Sequence, residues 1–224
     1  EFYEGRRFTA APVGIFTLDV LGQTVPFGTK LLFCHPKADC FKIAVEICED
    51  VWAPLPPSVG HAMAGATLIL NLSASDEVVG KAEYRRQLIA GQSARLLCGY
   101  LYADAGRGES TTDLVFAGHD LICENGAILA QTELFGSGMI VSEVDLEKLA
   151  GERLKNTSFA AVNDEDYTTV QLADTCADWQ PVRPVDPAPF VPAGESERMR
   201  RCEAILEMQA QGLRKRMEHT HAAT

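Results

Sequence analysis

The chain has 224 residues, of which 46% are hydrophobic and 23% are charged. These fractions are ordinary for a folded globular protein, and they exclude a disordered or collagen-like chain. The formal net charge of −11 argues against nucleic acid and anionic membranes as partners, because phosphate groups would be repelled. No run of about 18 uninterrupted apolar residues is present, so the sequence predicts no membrane-spanning helix.

The cysteines and histidines do not follow the spacing of a disulfide framework or of a metal site. The sequence has seven cysteines, an odd number, and no C-x-x-C pair. Its five histidines lack H-x-x-x-H and H-E-x-x-H spacing. We therefore expect reduced thiols, no bound metal and a cytoplasmic location.

Alternating apolar runs and helical patterns fill the first half of the chain. The β-rich run 41–48 and the uninterrupted apolar run 66–72 predict buried strands. A helix is predicted over 81–94, followed by a further buried strand over 95–103. This alternation indicates an α/β fold in which helices cover a mixed sheet.

A hairpin and a second strand–helix pair follow. The apolar runs 121–123 and 127–130 flank Asn125-Gly126, a dipeptide typical of tight hairpin turns. Residues 139–144 are predicted to form a strand. Asp145 is placed to cap a short helix over 146–154.

The C-terminal part has a different organisation. A proline-dense segment predicts an extended linker over 181–194. A helix is then predicted over 195–219, because apolar residues recur there at steps of three, four and seven. These are Met199, Cys202, Leu206, Leu213 and Met217. Both ends of the sequence are interpreted as cuts, with a main domain over 1–180 and a helix over 195–224 leading into a second domain.

Cys48 is the strongest candidate nucleophile. It ends the apolar run 41–48 and precedes Glu49 and Asp50. Where a strand turns, a side chain leaves a rigid sheet, and backbone N–H groups become free to bind an oxyanion. The two acids disfavour a thiolate, so a cation from another segment must offset them. The alternative is that Cys48 packs as a small hydrophobic side chain.

Several long motifs occur in register along the chain. They are EFYE at 1–4, EICEDVWAP at 46–54, NLSAS at 71–75, YRR at 84–86, GESTTDL at 108–114, ENG at 124–126 and NTSF at 156–159. In this order they resemble the nitrilase superfamily of carbon–nitrogen hydrolases, and more closely the glutamine amidase domains of glutamine-dependent NAD+ synthetases. The linker and terminal helix resemble the connection to the synthetase domain of that family.

The resemblance implies a nitrilase-type αββα four-layer sandwich that lacks its N-terminal elements, and a Glu–Lys–Cys triad with Cys48 as nucleophile. The family's base glutamate and lysine lie upstream of EFYE, so we expect residues 1–224 alone to be inactive. Lys30 and Lys37 do not substitute, because the expected motif does not surround them. Glu1 corresponds to an accessory glutamate beside the lysine, or else is a solvated terminal acid.

Four further positions are expected at the substrate pocket, Glu49 and Trp52 because they closely follow Cys48, and Ser75 and Lys81 because of the resemblance. The backbone N–H of Glu49 is the expected second oxyanion donor, and Trp52 is expected to line the pocket. Ser75 and Lys81 match positions that hold the amino-acid end of glutamine. Lys81 stands where arginine is frequent, so the charge is kept but the bidentate fork is lost. A surface lysine at the start of a helix is the alternative for Lys81.

The function implied is release of ammonia from glutamine for NAD+ synthesis. The amidase step needs no cofactor, whereas ATP and Mg2+ belong to the synthetase domain, whose Ser-Gly-Gly-x-Asp-Ser loop does not occur in this sequence. The expected partners are glutamine, a synthetase domain in the same polypeptide and further copies in a homo-oligomer. The alternatives are a free-standing carbon–nitrogen hydrolase acting on another amide and a non-catalytic assembly module.

Overall fold

A seven-stranded mixed sheet forms the centre of the first of two units into which the chain divides, residues 1–181 and 182–224. The computed structural model describes residues 8–109, 113–159, 162–174, 180–184 and 186–222. The strands are β1 (Phe16–Val20), β2 (Gln23–Phe27), β3 (Leu31–His35), β4 (Ala38–Ile47), β5 (Leu68–Ser73), β6 (Gly99–Asp104), β7 (Leu121–Glu124), β8 (Ala127–Gln131) and β9 (Thr168–Gln171). The helices are α1 (Pro57–Met63), α2 (Lys81–Leu96), α3 (Leu146–Lys155) and α4 (Glu195–Thr220).

The strand order in the large sheet is β8-β7-β6-β5-β4-β3-β9. Three central strands, β4, β5 and β6, run parallel to one another. The neighbouring strands β3 and β7 are antiparallel to this group, and β9 is parallel to β3. The mixed α/β class predicted from the sequence is confirmed. Of the two packed sheets of a four-layer sandwich, the described residues contain one large sheet and the separate β1–β2 hairpin.

The core lies where helices cover the central strands. Ile69 on β5, Tyr100 on β6 and Ile89 on α2 are all fully buried and belong to one apolar cluster. Burying one such Ile side chain contributes about 1.5–3 kcal/mol, so this cluster holds α2 against the sheet. The result is a rigid support under the carboxyl ends of the parallel strands.

The predicted hairpin and helix cap are both present. Strands β7 and β8 pair antiparallel on either side of Asn125 and Gly126. Both turn residues have positive φ, 45° and 85°, as a type I′ turn requires. At the start of α3, the Asp145 carboxylate accepts a hydrogen bond from the Lys148 backbone N–H at 2.9 Å.

Two strand predictions need correction. The prediction of a strand over 95–103 was wrong at its start, because α2 continues to Leu96 and β6 begins only at Gly99. Leu96 at the end of α2 is buried in the core, so its apolar side chain resembles the beginning of a buried strand. The prediction of a strand over 139–144 was also wrong, because that segment pairs with no other strand. Met139 and Val141 are 85% and 76% exposed.

The second unit contains α4, predicted over 195–219 and found as Glu195–Thr220. None of its residues is buried. The preceding segment is joined to the helix by local bonds, in which Arg201 donates to the Phe190 carbonyl at 3.0 Å.

Candidate functional site

The carboxyl ends of β4, β5 and β6 meet at one edge of the sheet. Ile47 at the end of β4 is paired with Leu72 on β5, and Ser73 on β5 is paired with Asp104 on β6. Cys48 follows β4 directly, and Ser75 lies two residues beyond the end of β5. Because ligands of open α/β sheets bind outside the carboxyl ends of parallel strands, this edge is the candidate site.

Cys48 begins a 3₁₀ turn, Cys48–Trp52, in a backbone conformation that non-glycine residues rarely adopt. Its φ is +48°, and its side chain is half-buried. The Asp50 carboxylate turns back and accepts the Ile47 backbone N–H at 2.8 Å. One of the two acids beside Cys48 therefore stabilises the turn. The other, Glu49, is exposed.

A buried polar cluster lies behind the turn, and we call Glu46, Asn71 and Tyr100 the inner cluster. The Tyr100 hydroxyl donates to the Glu46 carboxylate, which also accepts the Ser58 backbone N–H at 2.8 Å. Burial, and then the negative charge of Glu46, raise the pKa of Tyr100, so the phenol stays protonated. Asn71 Nδ2 lies 3.3 Å from the Tyr100 oxygen and 3.4 Å from the Cys48 carbonyl oxygen.

Sequence reasoning gave the inner cluster no role. Glu46 and Asn71 lie within the motifs at 46–54 and 71–75, which carry the family resemblance. The signal that could have found them is a polar residue inside each of two apolar runs, FKIAVEIC and ATLILNL. Buried polar groups need partners, so these two positions had to meet other polar groups.

Two predicted substrate residues come together in what we call the rim cluster, formed by Trp52, Asp76, Lys81 and Tyr84. Lys81 Nζ lies 5.3 Å from the Trp52 ring centroid, and the ring centroids of Trp52 and Tyr84 are 5.4 Å apart. Lys81 Nζ also donates to the Asp76 carboxylate and to the Asp76 carbonyl, both at 2.8 Å. The hydrogen bond from Lys81 lowers the pKa of Asp76.

Ser75 is held by a buried arginine that the sequence analysis did not select. Arg85 is fully buried and donates to Ser75 Oγ at 3.2 Å and to Glu77 Oε2 at 2.8 Å. Its third contact is His119 Nδ1 at 3.2 Å. Because a guanidinium only donates, this nitrogen of His119 accepts and the ring is neutral. Burial, followed by the charge of Arg85, lowers the pKa of His119 accordingly.

A cavity of about 210 Å³ opens beside the same edge. Asp104 at the end of β6 lines it and also accepts the Ser75 backbone N–H at 2.8 Å. Burial raises the pKa of Asp104. The Asp104 carboxylate at the end of β6 thus holds the backbone N–H of Ser75, while the Arg85 guanidinium on α2 holds its hydroxyl.

The remaining predicted positions lie elsewhere or outside the described part. Glu1 lies outside the described residues. Lys30 pairs with Asp166 at 2.9 Å, and Lys37 pairs with Asp174. Both lysines therefore have acidic partners in later segments of the chain. Within the described ranges, no group of three or more His, Cys, Asp or Glu side chains is arranged as a metal site.

The sequence is similar to known proteins along nearly its whole length. It is 40% identical, over 97% of this chain, to the glutamine-dependent NAD(+) synthetase of Mycobacterium tuberculosis (strain ATCC 25618 / H37Rv). The chain belongs to the glutamine-dependent NAD+ synthetase family. This confirms the resemblance read from the motifs. The chain spans 33% of the length of that relative.

More distant relatives cover less of the chain. The glutamine-dependent NAD(+) synthetase of Rattus norvegicus is 31% identical over 67% of this chain and 21% of its own length. The solved structure of a glutamine-dependent NAD(+) synthetase from Cytophaga hutchinsonii is 33% identical, with a TM-score of 0.49 over 59% of this chain and 20% of that one. No protein-family model matches the chain. Among the described helices, none is long and apolar enough to cross a lipid bilayer.

Proposed function

We propose that this chain is the glutamine amidase part of a glutamine-dependent NAD+ synthetase, with Cys48 as its nucleophile. The observation that carries the proposal is the position of Cys48 in a strained turn at the carboxyl end of a parallel strand. The similarity to synthetases over 97% of the chain supports the same assignment. A thiol held at a strand end is accessible to substrate, while the sheet behind it keeps it in place.

In the proposed reaction, Cys48 Sγ attacks the side-chain carboxamide carbon of glutamine. The backbone N–H of Glu49 donates to the developing oxyanion. The base glutamate, assigned to a preceding segment, takes the thiol proton and passes it to the amide nitrogen as the C–N bond breaks, so that ammonia leaves and a thioester remains on Cys48. Water then hydrolyses the thioester, which releases glutamate and restores the thiol.

The rim cluster is proposed to hold the amino-acid end of glutamine. A lysine ammonium has three hydrogens, and Asp76 accepts two from Lys81. The third is assigned to the α-carboxylate of glutamine. Ser75 contributes its hydroxyl, and Trp52 supplies an apolar wall beside the substrate.

Other parts of the proposal concern the polypeptide around this chain. The base glutamate and the oxyanion lysine are assigned to a preceding segment of the same polypeptide. Ammonia is consumed in a synthetase domain that binds ATP and Mg2+ and amidates nicotinic acid adenine dinucleotide, while the amidase step itself uses no cofactor. The intact protein is proposed to be a cytoplasmic homo-oligomer.

The test compares Cys48→Ala with Cys202→Ala in the intact polypeptide that contains this chain. Cys202 lies exposed on α4, so its substitution serves as the matched control. Glutamine-derived ammonia should fall at least about a thousandfold in Cys48→Ala and stay unchanged in Cys202→Ala. NAD+ synthesis from added ammonium salt should persist in both variants. Glutamine hydrolysis that survives in Cys48→Ala would refute the proposal.

A further inference from the structure

The amide of Asn71 connects the core to the peptide that follows Cys48. Asn71 lies on β5 and is 1% exposed. Its Nδ2 group is within hydrogen-bond distance of two oxygens, the Cys48 carbonyl at 3.4 Å and the Tyr100 hydroxyl at 3.3 Å. Its Oδ1 atom is buried and has no hydrogen-bond partner among the described residues.

The partners of Asn71 determine which way the amide faces. The Cys48 carbonyl only accepts hydrogen bonds, and the proton of Tyr100 is used by Glu46. Both neighbouring oxygens therefore face a donor, and the NH2 group of Asn71 is the side-chain donor that reaches both of them. A reversed amide would place its oxygen against two acceptors, and the hydrogen bond from Asn71 to the Cys48 carbonyl would be lost.

Because the peptide bond is planar, holding the Cys48 carbonyl also fixes the direction of the Glu49 N–H. In a trans peptide, the carbonyl and the N–H point to opposite sides of the chain. The carbonyl of Cys48 and the N–H of Glu49 belong to the same planar unit. Because Asn71 holds the carbonyl towards the core, the N–H of Glu49 is directed away from it. The positive φ of Cys48, +48°, rotates this unit out of the line of β4.

We infer that Asn71 is a positioning residue that aims the Glu49 N–H at the carboxamide oxygen of glutamine in the transition state. The inference rests on the proposed function, and it assigns a task to a residue that does not touch the substrate. Glu46 and Tyr100 complete the support, because they fix the acceptor on the far side of the amide.

The test separates oxyanion stabilisation from the reactivity of the thiol. Asn71→Leu keeps the approximate volume and removes the donor. We expect kcat for glutamine hydrolysis to fall about 10- to 100-fold, because one oxyanion donor is misdirected, while KM changes less than about threefold. Alkylation of Cys48 by iodoacetamide forms no oxyanion, so its rate should stay within about twofold of the unsubstituted protein.

The matched control is Ser93→Ala. Like Asn71, Ser93 is a fully buried side-chain donor to a backbone carbonyl, that of Cys98 at 2.7 Å, and it has no hydrogen bond to Cys48. This variant should keep kcat. If Asn71→Leu does not fold, Asn71→Ala removes the donor without adding bulk and should show the same loss of kcat.

Two outcomes would overturn the inference. One is a folded Asn71 variant with unchanged kcat. The other is a loss of iodoacetamide reactivity equal to the loss of kcat, which would mean that Asn71 only maintains the turn. Both outcomes are distinct from failure of the proposed function, which would appear as glutamine hydrolysis in Cys48→Ala.

Discussion

Two successive acids in the loop after β5 each form an ion pair with α2, and the two pairs differ mainly in burial. Glu77 pairs with Arg85 at 2.8 Å, and these side chains are 8% and 0% exposed. Asp76 pairs with Lys81 at the same distance, but those side chains are 47% and 21% exposed. The pairs join the same two segments but differ in burial and in their cation, a guanidinium in one pair and an ammonium in the other.

The difference separates a structural pair from the pair that is proposed to bind substrate. Inside the protein, an ion left without its partner is not solvated, so the Arg85–Glu77 pair fixes the loop that carries Ser75. At the rim, water replaces a lost partner, so Lys81 is able to bind a ligand at little cost to the fold. We therefore expect substitutions in the first pair to change stability and those in the second to change substrate affinity.

The largest expected effect is that of Arg85→Met. This substitution leaves Glu77 buried without its cation and removes the donor to Ser75 Oγ. We expect the free energy of unfolding to fall by about 3–5 kcal/mol, as measured by chemical denaturation. Arg86→Met is the matched control, because Arg86 pairs with Glu83 at the surface, at 3.5 Å. Its effect should stay below about 1 kcal/mol. Equal effects of the two substitutions would contradict the distinction.

Lys81→Met tests the rim pair. Loss of a charged contact to the α-carboxylate should raise KM for glutamine about 10- to 100-fold, while kcat stays within about threefold. Steady-state kinetics of ammonia release measures both. Unfolding should change by less than about 1 kcal/mol, since the pair is partly exposed.

Lys155→Met is the control for Lys81→Met. Lys155 forms a comparable surface pair with Glu152 at 3.0 Å on α3. It should leave KM unchanged. If Lys81→Met behaves in the same way, Lys81 has only the surface role that its position at a helix start permits.

The smallest expected effect is a pH dependence of stability from His119. Arg85, Glu77, Arg86 and Asp120 are the charged groups around it, and burial lowers its pKa below the ordinary value of 6.5. At this position the unfolded state then binds more protons than the folded state, so the contribution of His119 to stability falls as the pH decreases from 7.5 to 5.5. The slope from this group is at most about 1.4 kcal/mol per pH unit.

Denaturation midpoints of His119→Asn and of the unsubstituted chain, at pH 7.5 and 5.5, check this expectation. The asparagine oxygen replaces the accepting nitrogen but does not titrate. The fall in stability should be smaller in His119→Asn and unchanged in His219→Asn, a substitution at an exposed position on α4. An equal fall of the midpoint in His119→Asn and in the unsubstituted chain would show that His119 is not held neutral.

The sequence predicted the elements whose signal is local. The apolar run 41–48 ends at a turn in both prediction and structure, and the 195–219 helix was predicted from its periodicity. The predicted start of β6 was wrong, because a buried apolar residue at the end of a helix has the same composition as one in a buried strand.

The buried residues that support the candidate site were not predictable from local sequence patterns. Arg85 is a charged residue on a helix, which is ordinarily exposed, and its partners come from the loop after β5 and from His119. Asn71 meets Cys48 and Tyr100 only when three parallel strands are aligned. Burial of polar groups depends on tertiary contacts, which local patterns do not encode.

The most direct measurement of the central claim is peptide mapping by mass spectrometry after treatment of the intact polypeptide with a chloroketone analogue of glutamine. We expect one adduct, on Cys48, whose formation glutamine suppresses. Burial raises the pKa of Cys98 to about 12 and that of Cys123 to about 11, so these thiols should stay unmodified. Comparable modification of Cys48 and the exposed Cys202, unaffected by glutamine, would contradict the assignment of Cys48 as the nucleophile.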